Sequence, residues 1–136
     1  SIITSKAYTR LGDFYKVVMR DSIETELFTH VQALTKLALF VADALREAKA
    51  LKESLPVLMA APRIDKKTHL VVGVLGSGRH VRGAGRNPFG KAFASAARDR
   101  TIKARVAHES FEASVCVVAS DDLQNFVQGV VLNYDG

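Results

Sequence analysis

From Ile23 the apolar residues fall at Leu27, Val31, Leu34, Ala38, Val41, Leu45, Ala48, Leu51 and Leu55, in steps of three or four, until Pro56 interrupts the run. This is the stripe of an amphipathic helix. Asp21 with Glu24 three residues on has the form of a capping box at its start. About 33 residues at 1.5 Å each make a rod of roughly 50 Å, whereas a compact chain of this length has a radius of gyration of about 14 Å. The helix is long for its domain. Its middle, Ala33 to Leu45, adds Leu37, Leu39, Phe40 and Ala44 outside the main stripe and is apolar nearly all round. One sheet cannot cover that. Either the N-terminal arm or the 89–99 helix covers the second face, or the helix is broken in two, or a neighbouring subunit packs there. In the last case the candidate interface residues are Leu37, Phe40, Val41 and Ala44.

The flanking patterns are shorter. Residues 1–20 read as an arm beginning at Ile2 and Ile3, with Phe14, Val17 and Val18 at the spacing of a turn of helix. Pro56 and Pro62 mark a loop. His69 to Leu75, "HLVVGVL", is a β-branched run bounded by turn signals and reads as a strand. Asn87-Pro88 has the form of an N-cap and first-turn proline, and the helix it opens shares Phe89, Ala92, Phe93 and Ala96 or Ala97 on one face. Thr101 to Ala107 alternates like a half-buried strand with a basic outer face, and Phe111 to Ala119 returns antiparallel to it. Phe126 to Leu132, "FVQGVVL", reads as a fourth strand with Gly129 at a bulge. The expected class is α+β: one long N-terminal amphipathic helix packed on a mainly antiparallel sheet of about four strands, plus a short second helix. Residues 1–136 are expected to form a single domain, divided into an arm (1–20), the long helix (21–55) and a β-rich part (69–136).

Composition narrows the function classes. The 136 residues, 48% of them hydrophobic, suffice for a real core. Cys116 is the one cysteine, so neither an internal disulfide nor a multi-cysteine zinc site is available. No run approaches the roughly 18 apolar residues of a membrane span, and the N-terminus does not read as a signal peptide. A cytoplasmic or virion location is expected. The net charge of +5 is unevenly placed: residues 76–105 carry eight Lys/Arg against Asp99 alone, or +7, while the remainder has 11 basic and 13 acidic residues, or −2. That asymmetry points to a local contact with an acidic partner.

The contact is expected in "GSGRHVRGAGRNP", Gly76 to Pro88, where four glycines and three arginines stand within eleven residues. A Walker loop needs Lys-Ser or Lys-Thr after its last glycine, and here Gly83 is followed by Ala84-Gly85. A dinucleotide fingerprint needs a third glycine where Val81 stands. What remains is a basic loop, 76–87, whose guanidinium groups can grip phosphate or carboxylate in a bidentate way; the plainer alternative is a solvated loop kept soluble by its charge. The candidate anion- or partner-binding residues are Arg79, Arg82, Arg86 and Lys91. Ordering four glycines is costly in backbone entropy, so this loop is expected to be disordered alone and ordered by an acidic surface on a neighbouring subunit. His30, His69, His80 and His108 share no metal-ligand spacing on one element. Cys116 sits among Val115, Val117 and Val118, as a buried inert thiol would. With no nucleophile, base and orienter set evident, the expectation is a protein that is not an enzyme, with no cofactor, no metal and no small-molecule substrate.

Three resemblances follow. "KKTHLVVGV", Lys66 to Val74, after a long helix, resembles the first strand of the rotary ATP synthase gamma subunit, although "LGSGRHVRG" stands where that family has an aspartate, glycine and cysteine turn. The layout of a short N-terminal element, a long helix ending near a proline ("ALREAKALKESLPV", Ala44 to Val57) and strands with a basic glycine-rich loop resembles the tail-completion and neck proteins of tailed bacteriophages. "NPFGKAFASAARD", Asn87 to Asp99, after a glycine and arginine loop, is similar to small-subunit ribosomal proteins. The phage resemblance implies a structural subunit of the virion neck or tail, with itself or other subunits as partners. The alternatives are a nucleic-acid (RNA or DNA) binding module of ribosomal type and a gamma-like subunit.

Overall fold

Val57 to Ala61 is an unbroken run of fully buried residues, which is how a strand with both faces covered reads in sequence. It is the third of six strands in the computed structural model, which describes residues 8–11, 14–19, 31–48, 55–63, 67–75, 88–98, 101–109 and 113–134. In chain order the strands are β1 (Tyr8–Leu11), β2 (Phe14–Val18), β3 (Val57–Pro62), β4 (Thr68–Val74), β5 (Ala104–Glu109) and β6 (Ala113–Ala119). Among the described residues the helices are α1 (Val31–Ala48), α2 (Pro88–Ala97) and α3 (Leu123–Asn133), the last preceded by a 3-10 turn at Ser120–Asp122.

The sheet order is β1-β2-β3-β4-β6-β5. Among the described strands only β2 and β3 pair in parallel, Tyr15 opposite Val57 and Val18 opposite Ala60. A parallel pair requires a crossover, and α1 lies within it. Strand β6 is inserted antiparallel between β4 and β5, so α2 carries the chain over β6 from one to the other. The β5–β6 register shifts between Val106 and His108.

Alternation along the strands sorts side chains into two cores. On one face Tyr15, Val17, Val57, Met59, Leu70, Val72 and Val115 meet Leu34, Ala38, Val41, Ala42 and Leu45 of α1. On the other, Phe14, Leu58, Ala60, Val71, Cys116 and Val118 meet α2 and α3 through Phe89, Ala92, Phe93, Ala96, Phe126, Val127 and Val130. The second core is strongly aromatic. Phe14, Phe89 and Tyr134 lie with ring centroids 4.8 to 5.1 Å apart, and Phe93 links Phe89 to Phe126 at 5.7 and 5.5 Å.

This arrangement corrects the expected fold class. A six-stranded mixed sheet with helices on both faces replaces four mainly antiparallel strands under one long helix. The described part of that helix is Val31–Ala48; the capping box at Asp21 and Glu24 lies outside the described residues. The turn of helix expected before residue 20 is the β1–β2 hairpin. The loop expected between Pro56 and Pro62 is β3, because proline is excluded only from the interior of a ladder and both stand at the strand's limits. The fourth strand expected over Phe126–Leu132 is α3. Its buried positions Phe126, Val127 and Val130, with Leu123 partly buried, follow helical and not alternating spacing. Gly129 is no bulge: a Cβ there would stand 3.1 Å from that of Ala96, and its absence lets α3 lie close on α2. Strand β4, helix α2 and strands β5 and β6 form close to where their patterns place them.

Candidate interaction site

Of the residues singled out by their charge, Arg79, Arg82 and Arg86 lie with the glycine-rich loop outside the described residues. Lys91 is exposed on α2. Arg98, one residue past that helix, turns back on it, donating from Nε to the Ala94 carbonyl (3.1 Å) and from Nη2, weakly, to Ser95 Oγ (3.5 Å), and so satisfies a carbonyl of the last turn. Lys103 and Arg105 are exposed at β5, the edge of the sheet.

The α1 residues divide. Val41 is buried against the chain's own sheet, Leu37 packs on the same core, Ala44 is half-buried, and Phe40 is 68% exposed. The outer face is otherwise Gln32, Lys36 and Glu47. The second apolar face that the helical pattern suggests is therefore largely absorbed by the protein itself, and a single exposed phenylalanine is ordinary.

The polar junction at one end of the sheet joins β4, β6 and α3. Ser120 N donates to the Lys67 carbonyl (2.8 Å), and Lys103 N donates to Asp122 Oδ2 (2.9 Å), so the carboxylate that precedes α3 holds the start of β5. The Ser120 hydroxyl lies 2.8 Å from His69 Nδ1 and can donate to the unprotonated ring. Burial holds the His69 pKa below the ordinary 6.5. A hydroxyl beside an imidazole is two thirds of a nucleophile triad, but among the described residues no carboxylate orients the ring's other nitrogen. The pair acts as a clamp. Because the folded pKa is the lower one, the unfolded chain takes up the His69 proton first on acidification, and stability falls as pH drops from above 6.5 toward the folded value. Urea midpoints measured between pH 7.5 and 5 are expected to decline, and His69→Gln to flatten that decline. An unchanged slope in the variant would show that the ring is not the titrating group.

Cys116 is buried, and loss of hydration pushes its thiol up to about 11, with Sγ donating to the Arg105 carbonyl 3.1 Å away. It is inert at neutral pH, as its apolar strand suggests. Among the described residues no three His, Cys, Asp or Glu side chains gather as a metal site.

A groove of about 600 Å³ lies between the outer strands and α3. Its floor is Leu11, Lys16 and Val18, and its wall is Leu123, Val127 and Val131. Gln124 and Gln128 border it, as does Leu132, which is 85% exposed. The groove exists because α2 lies along β4, β5 and β6 while α3 packs on α2 and touches β6, leaving β1 and β2 to extend past them. Reading Phe126 to Leu132 as a strand hid it; the spacing of Leu123, Val127 and Val131, four apart, was the available signal.

Comparison with known proteins decides the family. A family model described as CDC45 matches residues 1–133. The chain belongs to the CDC45 family. It is 33% identical over 130 residues to the cell division control protein 45 homolog of Dictyostelium discoideum, covering 94% of this chain and 19% of that protein. It is 32% identical over 148 residues to Protein TSD2 of Mycosarcoma maydis, covering 97% of this chain and 17% of that one. The chain thus spans about a fifth of the length of these relatives. The crystal structure of CDC45 from Entamoeba histolytica has the same fold, with a TM-score of 0.78 at 21% identity over 96% of this chain and 25% of that chain. CDC45 membership overturns the resemblance to phage tail and neck proteins, the virion role and location, the ribosomal-type reading and the gamma-subunit reading. Those resemblances rested on helix length, one strand and a basic loop, which unrelated folds share. No helix among the described residues is long and apolar enough to cross a membrane.

Proposed function

We propose that this chain is a non-enzymatic structural part of a CDC45-type replication factor, through which the longer polypeptide is held among other subunits of a replication complex. The observation that carries this reading is the CDC45 match over residues 1–133. The printed name of the Dictyostelium relative, a cell division control protein, agrees with it. A rigid sheet packed on both faces, with an apolar groove and an exposed basic edge, suits a part that presents surfaces. The site of action is then wherever the cell replicates its DNA.

The experiment is to delete this stretch from a tagged CDC45-family polypeptide and isolate the tagged protein from replicating cells. Expected is loss of co-isolating replication subunits while the truncated protein still accumulates. Undiminished co-isolation would overturn the proposal.

A further inference from the structure

The helical layer formed by α2 and α3 stops short of the sheet's edge. Helices in one layer sit about 8–10 Å apart, and one such step beyond α3 lies the groove over β1 and β2. Among the described residues its floor and wall are apolar except for Lys16, and none of those that line it is a carboxylate. Val131 and Leu132 stand exposed at its border, 38% and 85%, on the side of α3 turned away from α2.

We propose that this groove seats an amphipathic helix contributed by the remainder of the CDC45-family polypeptide, which lays an apolar stripe along Leu11, Val18, Val127 and Val131 and sets an Asp or Glu against Lys16. The inference rests on the CDC45-type reading above. Three observations point to this occupant. Relatives carry roughly four fifths of their length outside the region matched here, so a covalently linked neighbour is at high effective concentration. The groove has the shape and chemistry of a helix-in-groove site, an apolar trough with one charge at its floor. A lysine so placed among apolar side chains loses hydration, and an acidic residue on the incoming helix offsets that loss. A small polar metabolite fits poorly, because among the described side chains that line the groove only Lys16 and the two glutamine amides offer polar contacts.

The test places the photo-cross-linking residue p-benzoylphenylalanine at position 132 of a family-length polypeptide, with the linked peptides identified by mass spectrometry. Leu132 is exposed, and circular dichroism of the 136-residue chain with the same change verifies that the fold survives. The expected product is an internal link to one segment outside this stretch, with apolar residues three and four apart and at least one Asp or Glu. Lys16→Glu should lower the linked fraction severalfold, and converting the facing acid to lysine should restore it. Links to a second copy, to a separate protein or to residues 1–7 or 20–30 of this stretch would overturn the proposal, as would no link at all. Each of those results is compatible with intact co-isolation of replication subunits, so failure of the docked helix and failure of the proposed function are told apart.

Discussion

Phe89→Ala is expected to lower the stability of the chain by about 3–5 kcal/mol, the range for removing a fully buried aromatic side chain. Phe89 has no exposed surface. Its ring centroid lies 5.1 Å from that of Phe14, 5.7 Å from Phe93 and 4.8 Å from Tyr134. One side chain therefore joins β2, α2 and the residue that ends α3. Truncation leaves a cavity bordered by three rings that belong to different elements and cannot collapse together. Since domains of this size are stable by about 5–15 kcal/mol in all, the variant is expected to unfold at a much lower urea concentration. Phe89→Leu should recover a good part of the loss. A midpoint within error of the parent's for Phe89→Ala would mean that the aromatic cluster does not hold the second core together.

Gly73→Ala is expected to cost about 1–3 kcal/mol or more, although alanine is normally no worse than glycine in a strand. The reason lies directly above Gly73 on β4: a Cβ there would stand 2.6 Å from both Cβ and Cδ2 of Phe89, inside any tolerable contact. The clash cannot be relieved by rotating a flexible side chain, because the Phe89 ring is wedged among the aromatics just named. The two substitutions should therefore couple. In a Phe89→Ala background Gly73→Ala should cost less, but still something, since the Phe89 Cβ is retained. Strictly additive losses in a double-mutant cycle by urea denaturation would rule out direct contact as the cause.

How legible the molecule was depended on whether an element's residues carried one periodicity. Helix α2 could be read because Asn87-Pro88 marks its start and Phe89, Ala92, Phe93 and Ala96 share a face. Strand β4 could be read from its β-branched run. Strand β3 was missed because "VLMAAP" is apolar on both faces and flanked by prolines, so neither alternation nor propensity marks it; burial from two sides is a tertiary fact. Helix α3 was misread because Phe126, Val127, Val130 and Val131 favour a strand intrinsically, and packing of Phe126, Val127 and Val130 on α2 overrides that preference. The groove went unseen with it. The surplus apolar face assigned to α1 is narrower than its pattern suggests: Leu37 and Leu39 pack on the core beneath, so counting residues around a helical wheel overstates what reaches solvent. Clustered arginines and glycines mark a segment as basic and costly to order, but membership of the CDC45 family is written in residue identities along the whole chain and not in any such cluster.

The parallel pairing of β2 against β3 has a consequence for local opening. Strands β3, β4, β6 and β5 join through antiparallel pairs within residues 57–119, whereas the hairpin β1–β2 stands at the sheet's other edge and enters the ladder through a parallel pair, slightly weaker per residue than an antiparallel one. The hairpin is therefore expected to open first in the native state. The groove's whole floor, Leu11, Lys16 and Val18, would thus come and go with that hairpin, so a helix seated across β2 and α3 would also act as a latch that holds the edge of the sheet closed.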